Sequence, residues 1–135
     1  LLTAKNNSTR LGVDVTFKQG DWWDAINPNE DGPFDLIITN PPYVGTEKLN
    51  EKDTLSGYEP SISLYGKNPS KSGTNDAMKI IRGANDWIED DGKLLIEHGF
   101  NQREILSDFA EAEGFFVLEQ IDDLSGLPRV LVLGK

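Results

Sequence analysis

The residues with the clearest chemical potential are Asn40-Pro41-Pro42-Tyr43, which directly follow a short apolar segment. An amide or exocyclic amine nitrogen is a poor nucleophile because its lone pair is delocalised. A site can hold such a planar –NH2 group by its two N–H donors, with the Asn40 side-chain oxygen and the Pro41 carbonyl as acceptors. The Pro-Pro pair is stiff and aims that carbonyl at little ordering cost, while Tyr43 can lie against the planar group and exclude water. These residues predict a site for alkylation of a planar amino group; a plain turn ending a strand is the alternative.

The elements that must position this motif are alternating strands and helices. Apolar or alternating segments predict strands at 13–17, 34–39, 93–97, 115–121 and 129–133. Helical patterns predict helices over 1–11, over about 75–89, and from a cap at Asn101 to Gly114. The apolar centre of 34–39 predicts a strand buried on both faces, which ends where the two prolines begin. This alternation is typical of an α/β domain with parallel strands.

The connections between these elements are rich in turn residues. Residues 20–24 predict a loop with one helical turn, 27–33 and 90–92 predict turns, and 44–73 predict a long polar loop. In open α/β sheets, ligands bind at the carboxyl ends of the strands. The asparagine-proline motif therefore lies where a site is expected.

The composition restricts the classes of function. The chain has 135 residues, with 13 Lys+Arg against 23 Asp+Glu and a net charge of −10. This length suits one domain, and this charge argues against a surface built to hold phosphate backbones. With no Cys and a single His, no metal site is expected. No apolar run approaches the roughly 18–20 residues of a membrane span. The chain begins at Leu1 and its one Met is Met78, so we expect a fragment or a processed chain.

A family resemblance follows from several motifs taken together. The segment from Phe34 to Tyr43 resembles motif IV of the class I S-adenosylmethionine-dependent amino-group methyltransferases. A wider set resembles the HemK/PrmC family: Gly20-Asp21-Trp22, Asn40-Pro41-Pro42-Tyr43, Tyr58-Glu59-Pro60, Leu64 with Gly66, Glu97-His98-Gly99 with Gln102, and Arg129-Val130. That family methylates the glutamine side-chain amide in the Gly-Gly-Gln loop of peptide-chain release factors. The resemblance implies a cytoplasmic enzyme with S-adenosyl-L-methionine as cofactor and a release factor as protein partner.

The resemblance also implies roles for individual residues. Asn40 and the Pro41 carbonyl would bind the glutamine amide, Tyr43 would pack on it, and Pro42 would fix the loop. Asn40 would also lie near the cofactor. Asp21 and Trp22 would flank the cofactor adenine, since a carboxylate can accept from its amino group while an aromatic ring stacks on it. Ordinary packing of Trp22 is the alternative.

Other polar residues carry weaker predictions. Glu59 would order the long loop over the substrate, with a solvated loop acid as the alternative. Glu97 and His98 end a predicted strand, and we expect a structural role for the His rather than general-base catalysis. Arg129 is expected to pair with Asp122 or Asp123.

Parts of the family's catalytic domain have no counterpart in the chain. No Gly-x-Gly-x-Gly precedes Gly20, and residues 1–12 resemble the helix after strand two. The expected fold is a partial Rossmann-like α/β methyltransferase sheet with strands 3 to 7 of the family order 3-2-1-4-5-7-6. Residues 1–135 would then be part of a catalytic domain, inactive alone, without strands 1 and 2 and the N-terminal helical domain. The bare apolar edge of 34–39 would either mediate a dimer or pair with 13–17.

The function that these motifs favour is methylation of a release-factor glutamine. Asn-Pro-Pro-Tyr is shared with ribosomal-protein glutamine methyltransferases and with nucleic-acid adenine N6-methyltransferases, which stay as alternatives, as does a non-catalytic fragment. The acidic charge fits a protein substrate, and no direct nucleic-acid contact and no membrane contact are expected.

Overall fold

The computed structural model describes residues 1–46 and 58–135. These residues fall into two units, 1–31 and 32–135, and each is described by itself. The elements, in chain order, are α1 Leu2–Leu11, a 3-10 helix Trp22–Ala25, β1 Phe34–Thr39, α2 Ser61–Tyr65, α3 Asn75–Ala84, β2 Ile88–Glu97, α4 Arg103–Ala112, β3 Phe116–Asp122 and β4 Pro128–Gly134.

The first unit contains one helix and one short turn of helix. The predicted helix α1 is confirmed and ends at Gly12, whose φ of 66° is the left-handed conformation that glycine adopts without strain. The predicted helical turn after Gly20 is also confirmed. The predicted strand at 13–17 is wrong, because these residues have no strand partner among those described, and a strand is defined by pairing with a neighbour. Accordingly, the expectation that 13–17 pairs with the edge of β1 is also wrong.

The second unit is built on one sheet. In the described part of the chain its four strands lie in the order β1-β2-β4-β3. β1 and β2 are parallel, whereas β4 runs antiparallel to both β2 and β3. This order corresponds to strands 4, 5, 7 and 6 of the expected sheet, so that part of the prediction is confirmed. The expected third strand is the one that does not form.

The core of the second unit lies between the sheet and two helices. α3 packs against β2, and α4 packs against β3, β4 and α3. Both helices bury one apolar face, as the spacing of their sequence predicts. The side chains that are completely buried include Ile81, Leu94, Leu106, Phe115 and Leu131.

The boundaries around β2 differ from the prediction. α3 ends at Ala84 rather than near residue 89, and β2 already starts at Ile88. The predicted turn at 90–92 lies inside β2, where the register with β1 jumps from Phe34↔Ile88 to Leu36↔Lys93. A Cβ at Gly92 would come within 2.8 Å of the Phe34 carbonyl oxygen, so glycine permits this irregularity.

β1 is not buried on both faces as its sequence predicts. Leu36 and Ile38 are 52% and 69% exposed, because β1 is an edge strand and the helices of the described residues pack against the other strands. Alternate side chains of a strand point to opposite faces, so Ile37, on the other face, is less exposed. Dimerisation through the free edge stays a prediction.

Two further corrections concern caps and loops. α4 starts at Arg103 with Gln102 at the N-cap position, one residue later than the Asn101 cap predicts. The predicted long loop 44–73 contains α2, which is too short to give a periodic signal. Its segment 47–57 lies outside the described residues.

Candidate active site

The carboxyl ends of β1 and β2 form one side of an open cleft. Because these strands are parallel and Thr39 pairs with Ile96, the residues that follow both strands meet at the same edge of the sheet. β4 runs in the opposite direction, so Val130, near its start, pairs with Glu97. The cleft has a volume of about 220 Å³ and is lined by Ile38, Thr39, Asn40, Leu95, Glu97 and Val130.

Asn40 and Pro41 stand at the rim of this cleft with acceptors that the described residues do not use. The Asn40 side chain is exposed, whereas the Pro41 ring is fully buried. Among residues 1–46 and 58–135, no hydrogen bond reaches the Asn40 side chain or the Pro41 carbonyl. Buried packing of the proline ring and an open asparagine amide are what a rigid pair of acceptors requires.

Tyr43 forms hydrogen bonds through its side-chain hydroxyl and through its main-chain carbonyl. Its hydroxyl donates to Glu97 Oε1 at 3.3 Å, and its carbonyl accepts from Gln102 Nε2 at 2.9 Å. Burial raises the pKa of the Tyr43 hydroxyl, and the nearby Glu97 carboxylate raises this pKa further. Tyr43 therefore keeps its proton and acts as a donor to Glu97. The predicted packing of its ring on a substrate amide stays a prediction.

The backbone after Tyr43 is tied to neighbouring loops. The Val44 N–H donates to the Leu64 carbonyl at 3.0 Å, at the inner side of α2. The Thr46 N–H donates to the Ser70 carbonyl at 2.9 Å. The two loops lie so close that a Cβ on Gly73 would come within 2.3 Å of the Tyr43 carbonyl oxygen. The loop that carries the predicted acceptors is therefore fixed by main-chain contacts.

His98 follows the last residue of β2, and its structural role stays a prediction. It is completely buried, and its Nδ1 lies 2.8 Å from the Gly99 carbonyl oxygen. Burial is the main reason that its pKa is lowered, so the ring is neutral at pH 7. Its Nε2 has no hydrogen-bond partner among the described residues. The lowered pKa makes the ring a weaker base than a free imidazole, and its complete burial keeps it from a ligand in the open cleft.

Arg129 pairs with Asp123, as one of the two predicted partners. Its Nη2 lies 3.1 Å from Asp123 Oδ2, and its Nη1 donates to the His98 carbonyl at 3.4 Å. The other candidate, Asp122, pairs instead with Arg103. The Arg129 pair thus joins the last turn to the end of β2.

The residues predicted to hold the cofactor adenine lie in the first unit. Asp21 occupies the N-cap position of the 3-10 helix, which Trp22 begins. Both are partly buried, and Trp22 has a φ of 55°, which is rare for a residue other than glycine. Their contact with a cofactor stays a prediction.

Glu59 is exposed and lies two residues before α2. The neighbouring Tyr58 is 91% exposed. The described contacts do not bring Glu59 to Asn40 or Tyr43, so its role over the substrate also stays a prediction.

The sequence reasoning gave Gln102 no role. Gln102 was named only as part of the motifs that carry the family resemblance. In the structure its side chain contacts the loop that follows Pro42. The signal was present in the spacing Gly99 to Gln102, since the Gln102 Oε1 accepts from the Gly99 N–H across one turn at 2.8 Å. Its other two hydrogen bonds reach residues that are 30 and 59 positions away in the sequence, and no local pattern reveals such contacts.

Residues 1–46 and 58–135 contain neither a metal-binding cluster nor a membrane-spanning helix. In residues 1–46 and 58–135, no group of three His, Asp or Glu side chains could hold a metal ion. Within the same ranges, every helix is too short or too polar to cross a bilayer.

Comparisons with known proteins identify relatives of the chain. The family model described as Eco57I restriction-modification methylase matches residues 3–94. The release factor glutamine methyltransferase of Neisseria gonorrhoeae is 36% identical over all of this chain and 48% of its own length. The enzyme of the same name from Prochlorococcus marinus is 33% identical, over 96% of this chain and 44% of its own. These identities confirm the resemblance that the motifs predict, and the chain spans about half the length of these curated relatives.

A solved structure supports the fold. The ribosomal protein L11 methylase from Lactobacillus delbrueckii subsp. bulgaricus superposes with a TM-score of 0.63, over 99% of this chain and 51% of that one. Its sequence identity is 14%, so the similarity concerns the fold alone. The predicted class of fold, a partial open methyltransferase sheet, is thereby confirmed.

Proposed function

The chain belongs to the Eco57I restriction-modification methylase family, and from this premise we propose that it supplies the amide-binding part of a methyltransferase. The substrate that we propose is the glutamine side-chain amide of a peptide-chain release factor. The relatives named as release factor glutamine methyltransferases support this choice, since they match nearly the whole chain. The net charge of −10 also favours a protein substrate over a phosphate backbone.

The observation that carries the proposal is the pair of unused acceptors on a fixed loop. The Asn40 side chain and the Pro41 carbonyl have no hydrogen-bond donor among the described residues, whereas the next residues are held by Leu64, Ser70 and Gln102. A primary amide presents two N–H donors in one plane, which is what two neighbouring acceptors can bind. An ordinary turn at the end of a strand would have no need for this rigidity.

The proposed reaction is direct transfer of a methyl group to nitrogen. When bound, S-adenosyl-L-methionine supplies an electrophilic methyl group on a sulfonium sulfur. Asn40 and the Pro41 carbonyl would accept from the two N–H groups of the amide and so fix the orientation of its nitrogen for the transfer. The methyl group would pass from the sulfur of the cofactor to that nitrogen, which would then release one of its protons. Because that nitrogen is cationic when it loses the proton, no strong base is needed, which is consistent with a neutral, buried His98.

The cleft fits one end of the cofactor. Pockets that enclose a whole cofactor-sized ligand have volumes of about 300–1,000 Å³, and the cleft of about 220 Å³ is smaller. It is large enough for a small group such as the substrate amide, and Asn40 is one of its lining residues. We assign the adenine end to Asp21 and Trp22, and the rare backbone conformation of Trp22 is the kind of strain that clusters at ligand sites.

We also propose a role for Glu59, a cellular location and a larger catalytic domain. Glu59 would order the segment before α2 over the bound substrate. Because release factors act where proteins are synthesised, the proposal places the enzyme in the cytoplasm. The relatives are about twice as long as this chain, so we propose that residues 1–135 act as part of a longer catalytic domain and are inactive alone.

The test uses the full-length product of the gene. The enzyme is incubated with S-adenosyl-L-methionine labelled in its methyl group and with a release factor, a release factor whose Gly-Gly-Gln glutamine is replaced by alanine, or an adenine-containing oligonucleotide. We expect label on the first protein and none on the other two. Label on the oligonucleotide alone would refute the proposal and indicate nucleic-acid methylation. The absence of label from all three substrates would also refute it and would favour a binding module.

A further inference from the structure

The Gln102 side chain joins three main-chain groups from three segments. Its Nε2 donates to the Tyr43 carbonyl at 2.9 Å and to the Ser72 carbonyl at 2.6 Å. Its Oε1 accepts from the Gly99 N–H at 2.8 Å. Gln102 itself is only 3% exposed. A carboxamide has two N–H donors and an acceptor oxygen with two lone pairs, so both donors and one acceptor position are used, and the orientation of the amide is fixed by its partners.

The bridged loops approach each other at the level of their backbones. A Cβ on Gly45 would come within 2.1 Å of the Lys71 carbonyl oxygen, and one on Gly73 would come within 2.8 Å of the Gly45 nitrogen. This approach brings the carbonyls of Tyr43 and Ser72 toward one point, where each needs a donor. The Gln102 Nε2 donates to both of them, so one side-chain nitrogen satisfies both carbonyls.

A second contact acts on the other end of Tyr43. Its hydroxyl donates to Glu97, the last residue of β2, whereas Gln102 lies at the start of α4. The connection from β2 to α4 thus contacts Tyr43 at its hydroxyl and at its carbonyl. The peptide group of Tyr43 is three residues from Asn40, and the Pro-Pro pair between them leaves little freedom to absorb a displacement.

We propose that Gln102 is a positioning residue for methyl transfer, which sets the direction of the Asn40 side chain and the Pro41 carbonyl by fixing the Tyr43 carbonyl. This inference rests on the proposed function. Gln102 touches neither substrate nor cofactor, and its effect is on the rate at which a bound amide reacts. A displacement of about 1 Å at a reacting group can lower a rate by about 10²-fold.

The chemistry of the side chain selects the variants for the test. Gln102→Glu keeps the acceptor for the Gly99 N–H, but it places a carboxylate oxygen against the carbonyls of Tyr43 and Ser72. Gln102→Met keeps the length and removes every hydrogen bond. Gln120→Glu makes the same chemical change at an exposed glutamine of β3 and serves as the matched control.

The experiment measures transfer and loop position separately, in the full-length gene product. The kcat for release-factor methylation is determined per active site, with sites counted by binding of S-adenosyl-L-methionine. In parallel, fluorotyrosine incorporated throughout the protein reports the surroundings of Tyr43 by fluorine NMR, with the Tyr43 resonance identified by its absence from Tyr43→Phe and exposed Tyr58 as the internal reference. We expect both Gln102 variants to shift the Tyr43 resonance and to lose at least about 10-fold in kcat, with the KM for the cofactor unchanged. Gln120→Glu should match the wild type.

The outcomes separate this inference from the function on which it rests. A wild-type enzyme that leaves the release factor unlabelled refutes the proposed function, while the Tyr43 resonance still reports whether Gln102 positions the loop. A wild-type enzyme that works, beside variants whose kcat per active site is within about twofold of it, overturns the inference even if their melting temperatures fall. Failure of both variants to fold also overturns it, because Gln102 would then support the whole fold rather than the loop.

Discussion

The two units of the chain treat similar apolar residues in opposite ways. In residues 1–31, Leu2 and Leu11 of helix α1 are 74% and 63% exposed, and no residue of that helix is buried. In residues 32–135, Leu94 and Leu106 are completely buried between the sheet and its helices. Leucine has the same hydrophobicity in both places. The difference is that the second unit has a sheet on which a helix can bury its apolar face, whereas α1 has no such partner in its own unit.

The residues proposed to take part in the reaction therefore lie in two units that differ in how well they are packed. Asn40 and Pro41, the proposed amide acceptors, lie on a loop that is fixed by contacts with Gln102 and α2. Asp21 and Trp22, the proposed adenine contacts, lie in the unit without a buried helix face. A site on a well-packed element is more precise than a site on a loosely packed one. We therefore expect the binding of the substrate amide to be preorganised in residues 32–135.

The largest expected effect comes from removing one acceptor on the fixed loop. Asn40→Ala should lower kcat for glutamine methylation by about 10²–10³-fold, the usual cost of losing one preorganised hydrogen-bonding group. Because Asn40 is exposed, the melting temperature should stay within error of the wild type. Asn29→Ala, at an exposed asparagine of the first unit, is the control for activity. Retention of activity by Asn40→Ala would falsify the assignment of the amide site.

Alanine substitutions at one buried leucine and one exposed leucine test the difference in burial between the two units. Leu94→Ala should lower the free energy of unfolding by about 2–5 kcal/mol, because it leaves a cavity beside the completely buried core. Leu11→Ala should change it by less than about 0.5 kcal/mol, since that side chain is mostly exposed. Urea denaturation followed by circular dichroism measures both. Equal effects would show that residues 1–31 share the stability of the core.

Hydrogen exchange sharpens the same contrast at the level of the backbone. α1 and α4 both have ten residues, so their lengths cannot explain a difference. The amides of α4 should be protected by nearly the whole unfolding free energy, and those of α1 by close to none. Mass spectrometry of peptides from each helix after deuterium labelling gives the comparison. Protection of α1 equal to that of α4 would contradict the division that we describe.

The smallest expected effect is on the pH dependence of stability. Asp123 accepts from the Leu127 N–H and pairs with Arg129, and both contacts lower its pKa below the ordinary 3.8. In the first unit, the Asn27 N–H and Lys18 lower the pKa of Asp31 in the same way. A carboxyl whose pKa is lower in the folded state stabilises that state above pH 3.8, and this contribution is lost as the pH falls through the lowered value.

Two asparagine variants separate these contributions. Urea denaturation of Asp123→Asn should show a weaker loss of stability below pH 3.8 than the wild type, with a small effect because the group is exposed to solvent screening. Asp31→Asn should show less change still in the same transition, if residues 1–31 do not share the cooperative core. A wild-type profile for Asp123→Asn would show that this carboxyl lacks the lowered pKa, and a larger change for Asp31→Asn would show that residues 1–31 share the transition of the core.

Much of the second unit could be predicted from local patterns. The strand at 34–39, the strands at 116–122 and 128–134, and the amphipathic face of α3 are found where the sequence places them. Each follows from period and composition over fewer than about ten residues. The asparagine-proline motif was equally local, because two prolines end a strand and leave Asn40 at its carboxyl end.

The predictions that failed depend on partners distant in the sequence. Residues 13–17 alternate like a strand, yet nothing in their own unit pairs with them. Leu36 and Ile38 have the composition of a buried strand, yet their position at the sheet edge leaves them exposed. Burial and pairing are properties of the whole assembly of elements, so they cannot be read from one segment.

The sequence by itself determined most elements of residues 32–135, the asparagine-proline motif and the family, since all three depend on short runs of residues. Only the tertiary structure decided how the motif is held. The Tyr43 carbonyl, the Ser72 carbonyl and the Gly99 N–H converge on the Gln102 side chain from three separate segments. Each of these buried polar groups needs a partner, and the identity of that partner depends on which backbones the fold brings together.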